Sequence, residues 1–111
     1  MNQNFSFFRT DIWVDISQIP TLQHQNALLI DVRSNAVFQA GHLPGFLNRP
    51  ADQFHHWQYE WPASIPHYLI CAKGPTAYQL ALQLRSQGIP AFAFYGGLAL
   101  YEVSQTAKHF F

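Results

Sequence analysis

His67-Tyr68-Leu69-Ile70-Cys71, then Ala72-Lys73-Gly74-Pro75-Thr76, then an apolar stripe at Ala77, Leu80, Ala81 and Leu84, is the stretch that decides the fold. The first five residues read as a strand that ends at the chain's single cysteine. The stripe recurs at i, i+3, i+4 and i+7 and predicts a helix, with Gly88 as its C-terminal stop. Residues 72–76 form the loop between strand and helix. Such a loop, ending at a helix N-terminus, aims unpaired backbone N–H groups at one spot, and Gly74 permits the turns this needs. That spot lies beside the sulfur of Cys71. The thiolate is the reactive form of cysteine, and inward N–H dipoles with Lys73 nearby favour negative charge there. Each feature taken alone has a plainer reading. A lone cysteine at a strand end is a small buried hydrophobe, a loop lysine is solvated, and Pro75 and Thr76 are a turn residue and an N-cap. Position favours chemistry, because ligands of open α/β sheets bind beyond the carboxyl ends of the strands.

Working outward, Ala27-Leu28-Leu29-Ile30-Asp31-Val32 is a nearly continuous apolar run, the pattern of a central strand covered on both faces. Ser34 caps a short helix through Ala40, which Gly41 ends before His42-Leu43-Pro44-Gly45. Phe46-Leu47-Asn48-Arg49 reads as a further strand, and Phe54, Trp57 and Trp61 as the stripe of a helix over residues 51–61 that Pro62 stops. Ahead of these, Trp13-Val14-Asp15-Ile16 predicts a strand, followed by Ser17 as N-cap of a short helix with Pro20 in its first turn. Ala91-Phe92-Ala93-Phe94-Tyr95 is a strand rich in aromatics, then come Gly96-Gly97 and a last helix from near Leu98 with apolar positions Leu100, Val103 and Ala107. Residues 1–10, with Phe5, Phe7 and Phe8, read as an arm on the domain or on a second copy. Strands alternating with helices imply an α/β domain, a parallel sheet with right-handed crossovers and helices on both faces.

At 111 residues the chain is long enough for one domain with a real core, residues 1–111. Formal charge sums to zero and charged residues make up 11%, so there is no basic field to draw nucleic acid. No apolar run reaches the roughly twenty residues of a membrane helix. One cysteine cannot form an internal disulfide and the N-terminus lacks a secretory pattern, which points to the cytoplasm. Aromatic residues reach 16%, an excess that suits a partner surface as well as a core.

Three stretches together resemble the rhodanese family of single-domain sulfurtransferases: Leu29-Ile30-Asp31-Val32-Arg33 with Gly41-His42-Leu43-Pro44-Gly45, then Cys71-Ala72-Lys73-Gly74, then Tyr95-Gly96-Gly97 with Tyr101. The resemblance implies a five-stranded parallel sheet flanked by helices, with Cys71 opening a six-residue loop that runs to Thr76. It implies sulfur transfer in two half-reactions, with Cys71 taking a sulfane sulfur from a donor such as thiosulfate and holding it as a persulfide for a thiophilic acceptor. The loop of Ala72, Lys73, Gly74, Pro75 and Thr76 would hold the small anionic donor through the backbone N–H groups it offers, and neither metal nor organic cofactor is needed. A thiol, cyanide or a protein would accept the sulfur. Asp31, Arg33, His42, Gly96 and Gly97 would be structural residues near the site. Two positions depart from the family pattern. Ala36, Val37 and Phe38 stand where an acidic partner for the arginine is usual, so Arg33 must find a backbone carbonyl or water, and Thr76 and Ala77 stand where many members have arginine and serine.

Other readings fit less well. Phosphatases and arsenate reductases use a related loop that ends in a bidentate arginine, and both candidate positions here lack it. A C-x-x-C redox pair is impossible with one cysteine. The six histidines form no i, i+4 pair, so metal binding is not expected. A catalytically silent binding or regulatory module on the same fold is the main alternative to an enzyme.

Overall fold

The computed structural model describes residues 10–110, with side chains described over 11–108. Five strands, β1 (Trp13–Val14), β2 (Leu28–Asp31), β3 (Phe46–Asn48), β4 (His67–Ile70) and β5 (Ala91–Phe94), form one sheet in the order β1-β5-β4-β2-β3. Every pairing is parallel, with Ile30 opposite Leu69 and Leu69 opposite Ala93 at the centre. The helices are α1 (Ile19–His24), α2 (Asn35–Ala40), α3 (Phe54–Trp57), α4 (Pro75–Ser86) and α5 (Gly97–Phe110). Among the described residues, no helix is long and apolar enough to cross a membrane.

Because side chains alternate along a strand, neighbouring residues feed different cores. Ile30, Leu69, Ala91 and Ala93 pack with Phe54, Trp57, Leu80 and Leu84 under α3 and α4. Leu29, Phe46, Ile70 and Phe94 pack with Ile19, Leu22 and Leu98 under α1 and α5. Both faces of β2, β4 and β5 are thus covered, which is why their sequences read as continuous apolar runs instead of alternating ones.

Several expected boundaries move, each for a local reason. The first strand stops at Val14, because the Asp15 carboxylate accepts the Ser17 N–H (2.8 Å) and opens a 3₁₀ turn over Ile16–Gln18. Asp15 caps that turn, and the N-cap position of α1 is Gln18, without a side-chain cap, instead of the expected Ser17, while Pro20 does lie in the first turn of α1. Ser34 caps α2 as expected through the Val37 N–H. The helix expected over residues 51–61 is instead a 3₁₀ turn, Ala51–Gln53, and the single turn of α3. The following residues fold back onto the end of β3. There the Arg49 fork grips both Glu60 oxygens (2.6 and 2.7 Å) and its guanidinium lies over the Trp61 ring. Phe5, Phe7 and Phe8 of the expected arm lie outside the described residues.

Candidate active site around Cys71

Cys71 follows the last residue of β4 and is buried, with 5% of its surface exposed. Its Sγ accepts two backbone hydrogen bonds, from the Gly74 N–H (3.1 Å) and the Ala77 N–H (3.4 Å). The chain reaches this arrangement because α4 begins earlier than the apolar stripe implies. Gly74 is the N-cap residue at φ 118°, and Pro75 is the first helical residue, where its fixed φ suits the helix and its missing N–H costs nothing. Thr76 is therefore inside the helix and not its cap, and the loop proper is Ala72, Lys73 and Gly74. The N–H donors fall differently from the expected continuous set. Pro75 has none, and Ala77, outside the expected loop, supplies the second. Ala72, Lys73 and Thr76 are exposed. The free N–H groups and dipole at the start of a twelve-residue helix make the space at the sulfur favourable to an anion.

The loop is held from the other side by the turn after β5. Leu98 N–H donates to the Cys71 carbonyl (3.0 Å) and Ala99 N–H to the Ala72 carbonyl (2.9 Å). This approach requires glycine at position 97, where φ is 60° and a Cβ would lie 2.5 Å from the Cys71 carbonyl oxygen. Gly96 abuts Gly74 in turn. A Cβ on Gly74 would meet the Gly96 nitrogen at 3.4 Å and the Trp13 ring at 3.5 Å.

Asp31 and Arg33 lie at the end of β2, beside this loop. The Asp31 carboxylate, buried at 1% exposure, accepts from Arg33 Nε (3.0 and 3.1 Å), from Arg33 Nη2 (2.7 Å) and from the Arg33 backbone N–H. Arg33 Nη2 also donates to the Gly41 carbonyl (2.8 Å). The arginine's acidic partner is thus two residues before it rather than after it, and the expected backbone carbonyl is a second partner. His42 stacks on Phe38, ring centroids 3.7 Å apart, and its Nδ1 lies 2.9 Å from the Phe38 carbonyl, so it braces the turn after α2.

Two features of the region escaped sequence reading. Trp13, from the opposite end of the chain, packs on Gly74, stacks on Tyr78 (4.8 Å) and meets Tyr95 edge-on (5.4 Å). At the other end of β4, His67 is fully buried, with Nδ1–H donating to the Ile65 carbonyl (2.7 Å) and Nε2 without a hydrogen-bond partner. Burial lowers its pKa from the ordinary 6.5, against the Ile65 hydrogen bond. Its only sequence signal was an imidazole at the start of an apolar run. Among the described residues, no three His, Cys, Asp or Glu side chains gather as a metal site would require.

The family model for the rhodanese-like domain matches residues 17–103. A tRNA sulfurtransferase from Desulfurococcus amylolyticus is 33% identical over 76 residues, covering 68% of this chain and 15% of that protein, so the chain spans only a small part of that relative's length. Among solved structures, reduced CoADR-RHD from Bacillus anthracis is 28% identical with a TM-score of 0.74, over 79% of this chain and 16% of that one. A rhodanese homologue from Thermus thermophilus is 27% identical with a TM-score of 0.63, over 78% of this chain and 97% of that one. The human single-domain sulfurtransferase TSTD1, 24% identical with a TM-score of 0.71 over 78% of this chain and 90% of that one, shares the fold.

Proposed function

The chain belongs to the rhodanese-like domain family, and we propose that it is a sulfurtransferase that carries sulfane sulfur as a persulfide on Cys71. The observation that carries this reading is the pair of N–H groups, from Gly74 and Ala77, that converge on one sulfur at the start of α4.

In the first half-reaction the Cys71 thiolate attacks the outer sulfur of a donor such as thiosulfate. The Cys71–S bond forms, the donor's S–S bond breaks, and its electron pair leaves with sulfite. Charge is conserved, from thiolate and dianion to persulfide anion and sulfite dianion. The N–H groups that meet the thiol sulfur and the dipole of α4 interact favourably with the negative charge of the persulfide, and Lys73 adds a mobile positive charge at the rim. In the second half-reaction an acceptor, a thiol, cyanide or a protein cysteine, attacks the outer sulfur and Cys71 leaves as thiolate. No step needs a metal or an organic cofactor. Asp31, Arg33, His42, Gly96 and Gly97 act by fixing the turns around the loop. The cytoplasm, where a lone thiol stays reduced, is the compartment this chemistry suits.

The 5% exposure of Cys71 favours a second reading, a catalytically silent binding or regulatory module with an inaccessible sulfur. Intact-mass spectrometry separates the two. After thiosulfate, the protein gains one sulfur atom's mass and loses it to cyanide with release of thiocyanate, and Cys71→Ser gains nothing. No gain from thiosulfate or from organic persulfides identifies the silent module.

A further inference from the structure

Among the described residues, β5 has a strand on both sides only at its carboxyl end. Trp13 and Val14 of β1 pair with Ala93 and Phe94, whereas Ala91 and Phe92 pair with His67 and Tyr68 of β4 alone. Arg85 of α4 fills part of the gap. Its Nε donates to the Ala91 carbonyl (2.7 Å), and its guanidinium lies over the Phe92 ring, 4.9 Å from the centroid. The same guanidinium grips the chain where it enters the domain, with Nη1 donating to the Asp11 carboxylate (2.7 Å) and Nη2 to the Asp11 carbonyl (3.2 Å). Beside this clamp, the end of α4 and the start of β5 enclose a groove of about 690 Å³, walled by Leu82, Arg85, Ser86, Ile89, Pro90 and Phe92. Apart from Arg85 and Ser86 these walls are apolar.

The nine residues ahead of Thr10 have the composition to fill it. Phe5, Phe7 and Phe8 are among them and Arg9 is their one charged residue, which is too apolar for a solvated tail. Reach is sufficient, since at about 3.5 Å per extended residue Phe8 can lie up to about 7 Å from Thr10 and Phe5 up to about 18 Å. The tether also favours the groove of the same chain, because a segment anchored at Asp11 meets it at a far higher effective concentration than a second copy does. We propose that residues 5–8 dock in this groove of their own chain, with phenylalanine rings against Leu82, Pro90 and Phe92. Docked there, the segment covers the side of β5 that β1 leaves open, an edge that would otherwise invite pairing with another chain.

The test is paramagnetic broadening in the full chain, in a Cys71→Ser background so that one thiol takes the nitroxide. The label is introduced by Ser86→Cys in the groove wall or, as a control, by Val103→Cys on α5, at a site 63% exposed. With the label at position 86 the amide signals of residues 5–8 lose most of their intensity, and dilution does not restore them. With the label at position 103 they keep it. Combining Phe5→Ser, Phe7→Ser and Phe8→Ser abolishes the loss at position 86 and speeds hydrogen exchange of the Ile89–Phe92 amides in the chain that retains Cys71. Signals of residues 5–8 that are insensitive to the position 86 label overturn the proposal. So does broadening that appears only in an isotope-labelled chain mixed with nitroxide-labelled chains, which would place the segment in a second copy.

Discussion

The two ends of β4 treat a polar side chain in opposite ways. His67 opens the strand and Cys71 follows it, and alternation places both on the face covered by α4. At the His67 end the ring is sealed under Trp61 and the chain around Ile65, with one nitrogen satisfied and the other left without a partner. At the Cys71 end two N–H groups converge on the sulfur, and a neighbouring strand end holds a buried carboxylate that is fully paired. The difference follows from direction. In a parallel sheet every strand ends on the same side, so helix N-termini and their free N–H groups gather at the carboxyl end. The opposite end receives helix C-termini and closing loops. One end turns backbone N–H groups onto a sulfur, and the other encloses a ring with one nitrogen unpartnered.

The strongest way to break this comparison is at Gly97. An added Cβ meets backbone on the Cys71 side, and the left-handed conformation adds its own strain, so Gly97→Ala should cost about 3–5 kcal/mol in denaturant unfolding. Sulfur uptake falls with it. Gly88 is the control from the other end of the sheet. It also has positive φ but no atoms near a new Cβ, so Gly88→Ala should cost only the strain, about 1–2 kcal/mol.

Arg33→Ala is the next largest effect. It leaves the Asp31 carboxylate buried without its fork, which destabilises by about 3 kcal/mol. Chemical denaturation reads the loss, and an effect below about 1 kcal/mol would show that water replaces the guanidinium at no cost.

The smallest effect sharpens the His67 end. Its pKa is lowered in the folded protein, so below about 6.5 the unfolded chain takes the proton first. The contribution is present above pH 6.5 and is lost as pH falls towards and through the folded value, at a slope of at most about 1.4 kcal/mol per pH unit. His67→Gln should flatten that slope in unfolding measured from about pH 7.5 to 5. An unchanged slope would assign the acid sensitivity to other groups.

Much of this was legible along the chain. Continuous apolar runs marked β2, β4 and β5, and the stripe at Ala77, Leu80, Ala81 and Leu84 marked α4, because burial imposes its period on the sequence directly. Ser34 and Gly41 punctuated α2 by side-chain capping and by the end of the helical run, both local effects. The apolar spacing of Phe54, Trp57 and Trp61 misled, since Trp61 packs beneath Arg49 from a turn and not from a helix. Spacing records which residues are buried, not the backbone path between them.

By itself the sequence determined the alternation of strands and helices, the place of Cys71 at a strand end, and the glycines that let chains approach there. These depend on residues near one another in the chain, on side-chain shape and on backbone freedom. Only the tertiary structure decided that Gly74 and Ala77 supply the donors to the sulfur, that Asp31 holds Arg33, that His67 is sealed with a nitrogen unpaired, and that Trp13 and Tyr95 meet beside the loop. Trp13 meets Tyr95 through the strand order, which sets β1 beside β5, whereas the contacts of Cys71, Asp31 and His67 join residues two to six apart and are set by how their turns pack. Strand order is chosen by the packing of the whole chain, and no local pattern encodes it.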